Sequence, residues 1–435
     1  MKKILVISSL LLVAIIISCT TTEPIPVDEN IRIAEIDAAV IETYLNVHVN
    51  NPSASKEVVV ERNGQVVMNF TADKTDTAIT DTGLTENTLY MYKAKLTEKG
   101  KVIGESSEVS VRTIQPTSHE FTWQTFAFGN AGAGSSSLYD VAIIDENNIW
   151  AVGEIYMKDS LGQIDPQAYN AVHWDGIKWK LLRVKVRDFG TLTGYFPLRA
   201  IWAFAENNIW FESNADLIKW DGNKFESRAF FMTSIPFNGQ VNKIWGTNED
   251  NIFCVGNGGA IYNFKGNSWQ KIESGTDWDI YDVFGYTNSV NSQEEIICAS
   301  TNPNNYTNST ILKITEKTKV GKINLTTGRL TGSAWTNKGF PIYTTGDGIF
   351  TNKSGKWEEI KLPVNYTTSK IRGNGLNDIF LCGVLGLITH YNGKEWKVYN
   401  DVYNAVYTSV HFNGNIAAFV GWRDGKGVIT IGRRN

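Results

Sequence analysis

The chain has 435 residues, 42% of them hydrophobic and 12% aromatic, and a formal net charge of −4 from 41 Lys and Arg against 45 Asp and Glu. No cluster of Lys and Arg stands out, and a nucleic-acid surface needs a basic stripe, so no nucleic-acid partner is expected. Five His and four Cys leave little material for metal or thiol chemistry.

Residues 1–18 read as a targeting signal, not as part of a fold. "MKK" is the positive start, and "ILVISSLLLVAIII" is an apolar core shorter than a membrane-spanning helix requires. The segment ends in Ser18–Cys19, and a small residue directly before Cys resembles the cleavage box of bacterial lipoproteins. That resemblance implies cleavage before Cys19 and lipidation of its thiol. Several acyl chains on one residue, palmitate among them, anchor a protein firmly where a single chain does not. An uncleaved anchor and a plain secretory signal stay open as alternatives. Thr20, not Asp, follows the Cys, which disfavours inner-membrane retention and leaves the outer membrane as the expected address. Residues 19–30, polar and Pro-containing, suit a flexible tether.

Residues 31–114 carry alternating runs, "YLNVHV" and "EVVVERNGQVVMNF", with an Asn63–Gly64 hairpin turn. The stretch "LTENTLYMYKAKLTEKGKVIGESSEVSVRT" resembles the second half of a fibronectin type III domain. Leu84 followed by Tyr90 matches its tyrosine-corner spacing, and "SSEVSVRT" its last strand. The Trp usual in the second strand is absent, so Leu45 or Val47 has to fill that core position. All 14 Trp fall at or after Trp123, which supports a boundary at a linker spanning residues 115–120.

From residue 121 to 435 one pattern recurs: "VAIIDENNIWAVGE", "IWAFAENNIWFES", "IWGTNEDNIFCVGNGGAIYNFKGNSW" and "IRGNGLNDIFLCGVLGLITHYNGKEW". Ile149, Ile209, Ile252, Ile296, Ile342, Ile379 and Ile416 mark its centres, 37 to 60 residues apart. Short apolar runs broken by Gly, Asn and Asp at a period near 40 residues indicate four-stranded propeller blades. Seven centres predict seven blades. The last unit has room for three strands, so Phe121–Phe128 is predicted to supply its fourth and close the ring. The unit resembles a bacterial β-propeller repeat of the form "VWG…NDIFAVG…GGxIxHYDGxxW". The expected architecture is therefore all-β, a fibronectin type III-like β-sandwich followed by a seven-bladed β-propeller with N-terminal strand closure.

Chemistry-bearing residues are sparse. Cys254, Cys298 and Cys382 fall in second strands and read as buried free thiols. His173 and His390 precede an aromatic-Asx-Gly turn, but the same repeat position holds Lys219 and Asn263, so it reads as a solvated position and no metal is expected. "DSLGQID" at Asp159–Asp165 spaces carboxylates as a Ca²⁺ loop can, without the full ligand pattern. Asp140, Lys243, Asp282 and Lys370 align near the starts of innermost strands. They either ring the channel mouth or pair with one another; pairing is the favoured reading.

The largest departures from the repeat are "GEIYMKDSLGQIDPQAYNA" in the first unit, "VKVRDFGTLTGYFPL" leading to the second, and "GWRDGKG" in the seventh. Long loops on a rigid scaffold are where binding concentrates. They nominate Tyr156, Tyr169, Arg187, Tyr195, Phe196, Trp422 and Arg423, with Phe189 beside them, as ligand contacts. Exposed aromatics beside Arg suit a sugar ring or a protein partner. The expected function is a monomeric, cofactor-free, non-catalytic binding or scaffolding lipoprotein of the cell envelope, tied to the membrane by its lipid anchor. Its ligand would be a glycan or an envelope protein, with the sandwich as a spacer from the membrane. The alternative is a glycosidase-like enzyme using a pair among Glu154, Asp159, Asp165 and Asp188.

Overall fold

The computed structural model describes residues 30–188, 191–213, 216–230, 240–266 and 268–435, and every regular element among them is a β-strand. Cys19 and the signal segment lie outside the described residues.

Residues 31–112 form two sheets. Ile31–Ala38, Glu42–Val49 and Asp76–Thr82 make the first; the second is built on Lys56–Arg62 and Leu89–Glu98. Period-two alternation turns Leu45, Val47, Val58, Val60, Tyr92, Ala94 and Leu96 inward to a common core. Asn63 and Gly64 both take positive φ (50° and 77°), which the two-residue hairpin requires. The Tyr90 hydroxyl accepts the Thr85 N–H at 2.9 Å.

Among the described residues the remainder folds as one two-stranded hairpin, Val186–Asp188 with Thr191–Gly194, and seven four-stranded antiparallel sheets. Their first strands are Ser137–Asp145, Ala200–Ala205, Val241–Asn248, Asp279–Thr287, Thr331–Trp335, Thr368–Gly375 and Val406–Asn413. Each first strand lies against the next, and that of sheet seven returns to that of sheet one. Sheets so stacked bury both faces, which explains why second strands such as Asn251–Gly256 and Asp378–Gly383 are nearly continuous apolar runs. The outer strand of sheet seven is Phe121–Phe128, paired along its length with Lys426–Arg434.

The repeated Asx-Gly turn has a local cause. Asp175, Asp221 and Asn392 each accept two backbone N–H groups across the turn. The following Gly176, Gly222 and Gly393 have positive φ, and an added Cβ would meet Asn147, Asn207 and Asn377 at about 3 Å. The repeat position before that turn is not solvated as its mixed residues suggest. Asn263 and His390 are buried, and they and His173 bond the Asx residue opening the second strand: Asn251, Asp378 and Asn148. Stacked sheets leave this site little water, so the side chain there stitches two strands.

The N-terminal sandwich is docked. Tyr44 meets Phe340 edge-on at 5.7 Å. Lys353 bonds Glu42 at 2.6 Å, Asn337 donates to Asp37 at 2.7 Å, and Ser289 donates to the Ile36 carbonyl at 2.6 Å. Ile36, Ala39 and Tyr44 share a core with Trp335, Tyr343 and Ile371. Every propeller-side residue named lies in, or packs beneath, hairpins joining first to second or third to fourth strands. The sandwich therefore covers one edge of the ring.

Candidate functional site

The opposite edge carries the connections from second to third strands and from sheet to sheet, and two of its cavities adjoin at sheet one. The first sits at the centre. In six of the seven first strands the register slips by one residue, at Leu138/Asp140, Val241/Lys243, Ile280/Asp282, Thr331/Ser333, Thr368/Lys370 and Tyr407/Ser409. A β-bulge re-aims side chains and loosens pairing. The skipped residues, Tyr139, Asn242, Tyr281, Gly332, Ser369 and Thr408, all line a cup of about 520 Å³. Asp140, Lys243, Lys370 and Ser409 also line it.

Below the rim, charged side chains pair across the ring. Lys243 donates to both Asp140 oxygens, at 2.5 and 2.6 Å. Asp140 also accepts Ser409 Oγ at 2.8 Å and the Ile201 N–H at 3.0 Å. Asp282 receives Arg372 through two nitrogens at 2.8 and 2.6 Å, Lys370 at 3.0 Å, and Ser333. Burial alone would raise both carboxyls. The adjacent cations win, holding Asp140 below its ordinary value and Asp282 well below. Burial pushes the Lys243 ammonium down, and Asp140 opposes it. The four aligned charges thus pair rather than stand as a free ring. Sequence alignment missed Arg372, Ser333, Ser409 and His411, although all lie in the same column or two residues beyond it.

The second cavity, about 380 Å³, is lined by Glu154, Tyr156, Pro166, Gln167, Ala168, Gly194, Tyr195, Phe196 and Pro197. Asn170 holds its wall by donating to the Val184 and Phe196 carbonyls at 2.8 and 2.9 Å. The two cavities meet at one carboxylate: Tyr139 and Tyr156 both donate to Glu154. Burial, then the Glu154 bond, pushes the Tyr139 phenol up to about 12, so it remains a donor at neutral pH.

Tyr156, Tyr195 and Phe196 therefore come together. Tyr169 lies apart, under Arg183 at 4.0 Å and against the core of sheet one, with Arg183 6.0 Å from the Tyr195 ring. Arg423 donates to the Asn404 carbonyl at 2.6 Å and covers Tyr403, and Trp422 beside it is exposed; neither lines the cavity. Arg187 is exposed on the short strand Val186–Asp188. Phe189 and the Asp188 side chain lie outside the described residues.

The loop carboxylates are mostly engaged. Asp159 caps the Leu161 and Gln163 N–H groups, and Asp165 caps Gln167 and pairs with Arg183. No group of three metal-ligating side chains occurs among the described residues. Cys254, Cys298 and Cys382 are buried and unbridged, and burial raises each thiol above its ordinary value, Cys382 to about 12.

No family model and no curated protein sequence matches the chain. Solved structures do. YCF48 bound to a D1 peptide is similar over 74% of this chain and 99% of that one, at 16% identity and a TM-score of 0.54. The extracellular domain of the hybrid two-component system BT3049 from B. thetaiotaomicron is similar over 71% of this chain and 42% of that one, at 10% identity and a TM-score of 0.50. At such identities the likeness is one of fold, an all-β, repeat-built β-propeller.

Proposed function

We propose that this chain is a non-catalytic binding or scaffolding protein of the bacterial cell envelope, anchored through a lipidated Cys19. In this reading residues 121–435 are a seven-bladed propeller, supported by the seven sheets whose first strands lie in one ring. Residues 31–114 are a fibronectin type III-like module, supported by the two-sheet layout and the Tyr90–Thr85 bond. The observation that carries the functional reading is the loop cavity. Irregular insertions before and after the outer strands of sheet one fold together into an aromatic-walled space beside the central cup. Rigid aromatics around one polar group suit a sugar ring or a protein side chain. The neighbour bound to a D1 peptide is a propeller that takes a peptide, which supports a protein ligand here. A glycosidase needs two carboxyls about 5–10 Å apart across a pocket. Of the four loop carboxylates, Glu154 is the one found lining the cavity among the described residues, which weighs against that alternative.

Glycan and peptide arrays probed with the full chain, then with Tyr156→Ala/Tyr195→Ala, test the reading. Loss of the wild-type hits with an unchanged melting temperature is expected, at roughly 2 kcal/mol or more per anchor. Unchanged hits would place the site elsewhere.

A further inference from the structure

The central cup is lined by more cationic charge than the protein itself balances. Two neighbouring hydrogen-bonded groups of the inner strands, Lys243 with Asp140 and Lys370 and Arg372 with Asp282, together hold three positive groups to two negative. All five are buried. The other first strands add no compensating acid: sheet five supplies Ser333 and sheet seven Ser409. His411, also from sheet seven, is neutral, since its Nδ1 accepts the Ile143 N–H at 2.8 Å and burial lowers its pKa to about 4. Sheet two offers the backbone N–H of Ile201. At the rim, Glu154 and Arg199 flank Tyr139 with opposite signs, and Asp279, which accepts the Gly258 N–H, stands beside Tyr281 but outside the lining of the cup.

The surplus faces the cavity. Lys243 and Lys370 line the cup, whereas Arg372 and Asp282 do not. Each ammonium has three donors. Lys370 makes one hydrogen bond, to Asp282, and both bonds of Lys243 go to Asp140. Donor capacity is thus left over on two buried cations that approach the cup from sheets three and six. An uncompensated buried charge is costly, and one anion brings the cluster to three against three. A bare inorganic ion would leave most of a 520 Å³ space unfilled. Tyr281, Tyr306 and Leu330 add an organic rim above the cations.

We propose that the cup is a binding site for a single carboxylate borne on an uncharged organic group. The carboxylate sits between Lys243 and Lys370, with Ser369 and Ser409 beside it. The group carrying it packs against Tyr281 and Tyr306. A peptide C-terminus and a sugar acid both present this chemistry. This goes beyond the loop-cavity reading and stands without it, since Tyr156 and Tyr195 line the other space.

The test is calorimetric titration of the full chain with N-acetylated Gly-Gly-Phe bearing a free C-terminus and with glucuronate. The matching controls are the C-terminal amide of that peptide, glucose, and inorganic phosphate. At least one carboxylate is expected to bind with a stoichiometry of one, and tenfold or more tighter than its uncharged partner and than phosphate. The peptide arm winning assigns a chain terminus, and the glucuronate arm a uronic acid. Carboxylate and uncharged partner binding alike, neither carboxylate binding, or phosphate binding as well as both would overturn the proposal. Lys370→Gln removes the surplus charge and leaves Asp282 with Arg372, so its unliganded melting temperature should hold while carboxylate binding falls tenfold or more. Lys370→Arg should retain binding. A folded Lys370→Gln protein that binds like wild type refutes the role of the surplus charge. The wild-type comparison of carboxylate with amide decides the case even if the variant does not fold.

Discussion

Lys243→Met is the sharpest probe of how the ring is held at its centre. Lys243 and Asp140 are both buried and join strands of sheets one and three, with sheet two between them. Removing the ammonium leaves the Asp140 carboxylate with Ser409 and the Ile201 N–H, two donors without a net charge. Breaking a buried pair from one side costs about 3–5 kcal/mol. At about 2 °C per kcal/mol for a chain of this size, the melting temperature should fall by roughly 6–10 °C. Asp140→Asn added to Lys243→Met removes the stranded charge, keeps an acceptor for the Ile201 N–H and offers an amide donor that the Ser409 hydroxyl can turn to accept, so most of the loss should return. The pH dependence has a definite sign. In the single variant the folded-state pKa of Asp140 rises above its unfolded value, so the protonated carboxyl regains stability as pH falls through that folded pKa. The deficit against wild type should therefore shrink in acid. Chemical denaturation of the three proteins at pH 7 and pH 5 checks this. A Lys243→Met protein within about 1 kcal/mol of wild type at pH 7 would refute the claim that this pair is structural, since it lies below the range for breaking a buried pair.

Three further outcomes are expected. Deleting residues 428–435 removes the buried Val428, Ile429 and Ile431 and unpairs Phe121–Phe128. At about 1.5–3 kcal/mol per side chain the loss rivals the whole stability of a domain, so cooperative melting of the ring should vanish in calorimetry. His411 has a folded pKa of about 4 against an unfolded value near 6.5. Its contribution is intact above 6.5 and is lost as pH falls towards 4, by roughly 3 kcal/mol in all, so His411→Gln should flatten the acid limb of a stability–pH curve. Cys19→Ser should release the protein from membrane fractions or leave an unprocessed precursor, and a variant that fractionates and migrates like wild type would remove the lipid anchor from the reading.

Much of the architecture was legible because burial on both faces writes itself into sequence. Second strands such as "IFCVG" and "IFLCG" are apolar throughout, and a Gly that packs against an Asn repeats visibly in three units. What a column of residues does was less legible. Asp140 and Lys243 occupy one column, but sequence does not say whether such side chains point at water or at each other. That depends on ring closure, which brings residues 103 positions apart to 2.5 Å. Ser333 and Ser409 were passed over because a hydroxyl in a charged column carries no signal of its own. Loop aromatics were legible as a set and not as a site. Tyr156, Tyr195 and Phe196 converge because Asn170 pins the long connection, while Arg423 turns to Asn404 and Tyr403, away from the cavity. Docking of the sandwich left almost no trace, because Val40 and Tyr44 look like ordinary core residues until Gly393 and Phe340 are seen against them.

That docking has a functional consequence. Ile36, Asp37, Ala39 and Val40, at the C-terminal end of the first strand, touch the ring, whereas Ile31 starts the same strand at its far end. Seven steps of about 3.3 Å separate that end from the ring-bound one by roughly 23 Å along the strand. In the proposed reading the tether joins the sandwich at that end, and the sandwich covers the edge opposite the cup and the loop cavity. A free spacer would let the propeller present either face to a membrane. A sandwich fixed by Asp37, Glu42 and Tyr44 against Asn337, Lys353 and Phe340 instead turns with the ring as one body, so that any such freedom lies in the tether alone. If Cys19 is the anchor, the part joined to the bilayer is the sandwich, and the cup and the loop cavity lie on the other edge of the ring, open to a soluble or surface-borne ligand.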